Sequence, residues 1–164
     1  MSCDMAQWAQ ARVVRARKEA AMDTVSKIVE KNGGTVHRIE PTASALEAAQ
    51  RMNAVKIGSL VVLREGCLAG IVTERDLLTR VVAMQRDPAS TRVEEIMTRD
   101  VLTCTPDTRM SEARQTMREQ RVRHLPVCEG ERIVGMVSIG DLNAHTTEVL
   151  NGLVDSLEAY IQHG

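Results

Sequence analysis

Residues 35–82 of this chain recur, without a gap, at about 100–146, and that internal repeat limits the possible folds more than any other feature. Pro41 pairs with Pro106, Gly70 with Gly135 and Asp76 with Asp141, each 65 residues apart. The same shift pairs Val36 with Val101, Glu47 with Glu112, Ala48 with Ala113, Met52 with Met117, Leu60 with Leu125 and Leu77 with Leu142. A shorter echo lies upstream of each copy, Val25-x-x-Ile28 and Val93-x-x-Ile96.

Each copy follows one order of elements. A short extended piece, Val36–Ile39 or Val101–Cys104, leads into a proline, which disfavours helix in the residue before it. Apolar residues at helical spacing follow, Ala45, Ala48 and Met52 in one copy, Met110, Ala113 and Met117 in the other. A hairpin comes next: Leu60–Leu63 turns at Glu65-Gly66 into Leu68–Val72, and Leu125–Cys128 turns at Glu129-Gly130 into Ile133–Val137. A second helix opens at Thr73 or Ser138. A strand-helix-strand-strand-helix unit is too small to cover its own sheet, so two copies are expected to pack about a pseudo-two-fold axis. The expected class is α/β of the α+β type. Residues 1–21 read as an N-terminal extension, 22–82 as the first repeat with a leading helix, 83–99 as a linker around Asp87-Pro88, and 100–146 as the second repeat. The 3–4 spacing of Leu150, Leu153, Leu157 and Ile161 makes 147–164 a terminal amphipathic helix.

The chain's 164 residues suffice for a substantial core without staples. Aromatic residues are 1% of the total, Trp8 and Tyr160 with no Phe, so the stacking platforms of single-strand nucleic-acid readers are missing. A formal net charge of -1 gives no basic field to gather phosphate backbones. Cys3, Cys67, Cys104 and Cys128 form no C-x-x-C pair and read as buried or half-buried thiols in a reducing cytosol. The four histidines have no metal-ligand spacing, and no apolar run is long enough to span a bilayer. Arg12, Arg15, Arg17 and Lys18 give a faint transit-peptide bias that Asp4 and Glu19 dilute, so a cytoplasmic protein is expected.

The chemistry sits in two repeated phrases. Gly70-Ile71-Val72-Thr73-Glu74-Arg75-Asp76 matches Gly135-Met136-Val137-Ser138-Ile139-Gly140-Asp141. A Thr or Ser with an acid three residues on is a helix-capping pattern. Its occurrence twice, across a two-fold, points further: helix N-termini receive phosphates, and an Asp accepts from ribose hydroxyls. The second phrase is Arg121-Val122-Arg123-His124-Leu125-Pro126-Val127, set against Lys56-Ile57-Gly58-Ser59-Leu60-Val61-Val62. Arg121 and Lys56 suit a helix C-terminus, whereas Arg123 and His124 enter a strand and form a candidate phosphate clamp. Gly58 and Ser59 are small and leave room for a ligand, so the two clefts are expected to be unequal.

These motifs, with Val93-Glu94-Glu95-Ile96-Met97-Thr98, resemble a tandem CBS-domain pair, or Bateman module, over roughly 24–146. The chain looks like the stand-alone bacterial members, in which Met22 would sit near the usual start. The resemblance implies a non-catalytic regulatory module that binds an adenosine ligand: AMP, ADP, ATP, an NAD-type dinucleotide or S-adenosylmethionine. It implies ribose on Asp76 or Asp141, with Thr73 and Ser138 near phosphate or ribose and Arg123 and His124 on phosphates. Ile71, Arg75, Met136, Gly58 and Ser59 complete the expected ligand contacts, and Thr103 and Thr105 are expected to line the adenine pocket. Copy one has Arg38 and Glu40 there, and Glu40 would repel a phosphate. A homodimer is implied as well. The competing reading is a partner-binding module with empty clefts that docks through its C-terminal helix. An enzyme is disfavoured, since there is no P-loop, metal-ligand cluster or nucleophile–base pair.

Overall fold

The computed structural model describes residues 23–162, with side chains to Glu158. The extension 1–21, with Cys3, and the side chains of Tyr160 and Ile161 lie outside the described residues. The order is α1 (Ser26–Lys31), β1 (Arg38–Ile39), α2 (Ala45–Val55), β2 (Ser59–Arg64), β3 (Cys67–Thr73), α3 (Glu74–Asp76), α4 (Val93–Ile96), α5 (Met110–Glu119), β4 (His124–Glu129), β5 (Arg132–Ser138) and α6 (Ile139–Gln162). This is the mixed helix and strand class expected, in two copies.

The repeat is visible down to register. β2 pairs antiparallel with β3 and β4 with β5, with a bulge between Val62 and Leu63 and another between Val127 and Cys128, again 65 residues apart. The turns differ. Glu65 and Gly66 both have positive φ, as a type I′ hairpin needs, whereas the second turn carries positive φ at Gly130 alone, the type II′ pattern. β1 lies parallel to β2, but its counterpart in copy two is reduced to a single bridge between Cys104 and Val127. Only that part of the expected Val101–Cys104 strand forms. Cys104 is buried and Cys128 half-buried, as expected. Cys67 is exposed, because it follows the tight turn and pairs with Arg64 at the hairpin tip.

The two leader segments are exchanged. Val25 and Ile28 of α1 sit in the core of the second copy, with Met110, Ala113, Met117, Leu125, Val127, Val137 and Leu142. Val93, Ile96 and Met97 sit in the core of the first, with Ala45, Ala48, Met52, Leu60, Val62 and Val72. The leading helix therefore packs on the second repeat rather than the first, and the segment read as a linker supplies core to the first. Matching hydrogen bonds fix both. The Val25 amide donates to Thr108 O (2.9 Å) and Val93 to Ala43 O (2.8 Å). Ser26 donates to Pro106 O and Glu94 to Pro41 O, both at 2.9 Å. Gly33 (φ 66) and Gly34 (φ 63) let the chain leave α1 through two successive left-handed residues.

The repeated glycines have a packing reason. A Cβ on Gly70 would meet Met97 Sδ at 2.7 Å and the Thr98 carbonyl at 2.8 Å, and one on Gly135 would meet Val29 Cγ2 at 2.7 Å. In each copy the exchanged leader lies directly over the glycine of the hairpin. The second helices differ. α3 continues as a π-helix, Leu77–Val82, and stops, whereas α6 runs unbroken for 24 residues and absorbs the separate terminal helix expected over 147–164.

Gly70→Ala and Gly135→Ala should each cost about 1–3 kcal/mol, the range for overpacking. Gly70→Ala should cost more, because a backbone carbonyl yields less readily than a valine methyl. Gly152→Ala, which has nothing within 4 Å, should instead stabilise α6 by up to about 1 kcal/mol. Urea midpoints of the three variants check the order.

Candidate functional site

Two clefts open between the repeats, related by the same pseudo-two-fold. Cleft one, about 260 Å³, takes Ile71, Thr73, Arg75, Asp76 and Arg80 from copy one, and Thr98, Asp100–Leu102 and Arg121–His124 from further along the chain. Cleft two, about 350 Å³, takes Met136, Ser138 and Asp141 from copy two, and Asn32, Thr35, His37 and Lys56–Ser59 from the first half. The pairs Ile71/Met136, Thr73/Ser138, Asp76/Asp141, Gly58/Arg123 and Ser59/His124 occupy equivalent places. His124 lines both clefts and forms a shared wall with Gly58, whose added Cβ would lie 3.6 Å from His124 Cε1.

The repeated Thr/Ser-x-x-Asp phrase closes a capping box in both copies. The Thr73 amide and hydroxyl donate to Asp76 Oδ2 at 2.9 and 2.7 Å, and the Asp76 amide donates back to Thr73 Oγ1 at 3.3 Å. In copy two the distances are 2.7, 2.6 and 3.1 Å between Ser138 and Asp141. The Glu74 amide donates to Gly58 O at 3.0 Å and the Ile139 amide to Arg123 O at 2.9 Å. So the helix N-termini do not offer the row of free N–H groups that the sequence promised, because the first and third amides are taken. The Thr73 and Ser138 protons are committed to the aspartates, which leaves these hydroxyls only acceptor capacity. What remains is one oxygen on each aspartate. Asp76 Oδ1 has Arg80 Nε at 3.5 Å, and Asp141 Oδ1 has Asn32 Nδ2 at 3.5 Å, both long for a hydrogen bond.

The charges are unequal. Cleft one holds Arg75, Arg80, Arg121 and Arg123 against Asp76 and Asp100. Arg80 is braced, donating from Nη1 to Ile96 O (2.6 Å) and Met97 O (2.9 Å), which also satisfies carbonyls at the end of α4. Arg75 Nη1 approaches Arg121 O at 3.4 Å, and among the described residues Arg121 and Arg123 make no ion pair. Lys56 (φ 57) and Arg121 (φ 54) hold the same left-handed conformation at the ends of α2 and α5. That conformation turns the chain sharply from helix into the cleft wall, so the reading of these two as helix-end cations holds but misses that they line the clefts.

Thr103 and Thr105 line neither cleft. Both are exposed, and the Thr105 amide is bound to Thr108 Oγ1 at 3.0 Å. The wall is built two or three residues earlier, by Asp100–Leu102. Arg38 and Glu40 likewise lie away from both clefts, so the anticipated repulsion by Glu40 does not arise. Sequence reasoning missed Arg80, Asp100, Asn32, Thr35 and His37. Only Arg80 carried a signal, its i+4 spacing from Asp76.

Burial holds the His124 imidazole below the usual 6.5, and neighbouring Arg123 pushes the same way, against Asp141 and Glu74. His124 therefore carries little charge at pH 7 and offers the cleft a neutral imidazole. Burial also lifts Cys104 to about 11 and raises Cys128, leaving both as unreactive thiols near neutral pH. In an NMR titration His124 should protonate below 6.5, and Arg123→Ala should move it upward. An anion bound beside it should also move it upward, so anion affinity should rise as pH falls from 7 toward 5. A His124 that titrates above 6.5 in the empty protein would contradict this.

Known proteins share this architecture. The CBS domain family model matches twice, over residues 21–83 and 93–145. The chain is 39% identical over 123 residues to the mitochondrial CBS domain-containing protein CBSX3 of Arabidopsis thaliana, covering 72% of this chain and 60% of that one. It is 33% identical to CBS domain-containing protein YhcV of Bacillus subtilis, covering 65% and 76%. A putative signal-transduction protein with CBS domains from Burkholderia ambifaria superposes with a TM-score of 0.73 at 38% identity, covering 76% and 93%. The CBS domain pair of protein MJ0100, solved in complex with 5′-methylthioadenosine and S-adenosyl-L-methionine, superposes with a TM-score of 0.69 at 26% identity, covering 77% and 98%. With both repeats matched, the two clefts facing each other across the pseudo-two-fold are those of a tandem CBS pair, and the chain belongs to the CBS-domain family of regulatory modules.

Proposed function

We propose that this chain is a non-catalytic sensor that binds an adenosine ligand, such as AMP, ATP or NAD, between its repeats. The observation that carries the reading is the spare Oδ1 on Asp76 and on Asp141. Each carboxylate spends Oδ2 on its own helix cap and keeps Oδ1 for the cleft. A carboxylate oxygen accepts from vicinal hydroxyls, which suits a ribose. Ile71 and Met136 supply an apolar surface in the respective clefts, and Arg121 and Arg123 supply charge for phosphate. The related MJ0100 pair holds two adenosine-based compounds, which supports the ligand class.

We also propose a homodimer. Leu78 and Val82 on the π-helical turn after α3, and Met84 beyond it, are 61–69% exposed, and Leu150 and Val154 on α6 are about half exposed. A second copy is the occupant that would cover such faces in a CBS pair. Among the described residues no helix is long and apolar enough to cross a membrane.

A thermal shift against AMP, ADP, ATP, NAD and S-adenosylmethionine tests the ligand class, since a ligand bound to the native state alone raises its stability. At least one should raise the melting temperature, and no shift with any of them would overturn the reading. Asp141→Ala should weaken binding in its cleft by about 1.5–3 kcal/mol, roughly tenfold or more. Ser138→Ala should cost about 1 kcal/mol of stability with a smaller change in affinity, because it removes the cap and keeps Oδ1. For the dimer, Leu78→Glu with Val82→Glu should convert a dimeric mass in sedimentation to a monomeric one. A wild-type mass that stays monomeric at every concentration would sink the assembly.

A further inference from the structure

Accepting the adenosine reading, we infer that the two clefts divide ligands by charge. Cleft one takes a nucleotide through its phosphates, and cleft two takes a nucleoside that carries no phosphate.

The division is written into the repeat. Cleft one has four arginines against two aspartates. Cleft two has one lysine, Lys56, against Asp141. At the register positions of the arginines, copy two or its partner loop has lost the guanidinium three times in four. Arg75 faces Gly140, Arg123 faces Gly58, and Arg80 faces His145. His145 is committed elsewhere, with Nε2 2.6 Å from Asp23 Oδ2. Only Arg121 keeps a cation, Lys56, which is exposed and presents a flexible point charge instead of a planar fork.

Size does not explain the difference. Cleft two is the larger, about 350 Å³ against 260 Å³, so a phosphate would fit there. It would meet Asp141 and a neutral His124, and the first and third amides of α6 are bonded to Arg123 O and Ser138 Oγ, as their counterparts are in cleft one, so the helix start does not make up for the missing guanidinium groups. A nucleoside without phosphate fits the remaining donors and acceptors, among them Asn32, Thr35 and Ser59, with its ribose on Asp141. The same nucleoside in cleft one would leave Arg121 and Arg123 with nothing to bind. The polar chemistry of each cleft thus rejects the other's ligand.

Calorimetry on the full chain with ADP, adenosine and inorganic pyrophosphate tests this. ADP should fill one site per chain, and adenosine should still bind with unchanged affinity once ADP is saturating. Arg123→Ala, an exposed position, should weaken ADP and pyrophosphate at least tenfold and leave adenosine within twofold. Gly58→Arg restores the missing guanidinium to cleft two, where the atoms nearest an added Cβ belong to the Glu74 and His124 side chains, at 3.3 Å and beyond. That variant should gain a second ADP per chain. Competition of adenosine with ADP for one site, two equivalent ADP sites in the wild type, or no second ADP in a folded Gly58→Arg protein would each overturn the division. If neither ADP nor adenosine binds while pyrophosphate binds through Arg123, the adenosine reading fails and the assignment of phosphate to cleft one stands. Pyrophosphate binding that is indifferent to Arg123→Ala would sink that assignment too.

Discussion

The exchange of leader segments is the constraint on which the rest of the molecule depends. Each repeat's sheet is too small to cover itself, and the helix that completes its core comes from the leader of the other copy. Val25 and Ile28 are almost fully buried in one half, and Val93 and Ile96 in the other. Burying four such side chains contributes several kcal/mol at about 1.5–3 each, so neither half is expected to keep its core without the other's leader. The exchange also ties the two repeats together, and the clefts are the space left between them. Gly70 and Gly135 are part of the same device, because any side chain there would lift the leader off the sheet.

From that frame the site follows with little further ordering. β3 and β5 end in the capping boxes, so Asp76 and Asp141 are fixed by their own helix starts before any ligand arrives. Preorganisation of this kind spares the ligand the cost of immobilising its partners. The loops that face each aspartate come from the opposite copy, which allowed their chemistry to diverge while the caps stayed the same. Arg123 and His124 against Gly58 and Ser59 is the clearest divergence, and it leaves one wall residue, His124, common to both clefts.

Much of this was legible in the sequence. A gapless repeat fixed the hairpins, the first turn and the aspartates, because side-chain period, turn residues and capping spacing are local properties. The second turn falls one residue later than expected, at Gly130-Glu131, because Glu129 still pairs with Arg132 at the end of the ladder. The echo of Val25-x-x-Ile28 in Val93-x-x-Ile96 was visible as well, but nothing local says which sheet a leader covers, so the exchange was not. The same limit explains the misplacement of Thr103 and Thr105. Where an extended segment meets a cleft depends on its bridge to β4, here at Cys104, and the segment in copy two is too short of ladder hydrogen bonds to declare its register. Asn32, Thr35 and His37 were invisible for a related reason, since they reach cleft two only because the first leader crosses to the second copy. The helix N-termini look free from sequence alone, but the Gly58 and Arg123 carbonyls, brought there by the fold, occupy their first amides.

The central claim is that the space between the repeats is a ligand site organised by the two caps. Amide chemical-shift mapping with AMP on isotope-labelled full-length protein tests it most directly. The account predicts that the largest perturbations fall on Thr73–Asp76 and Arg121–His124, the two segments that meet across cleft one. Perturbations confined to the outer face of α6, or none at either cleft with millimolar AMP, would contradict it.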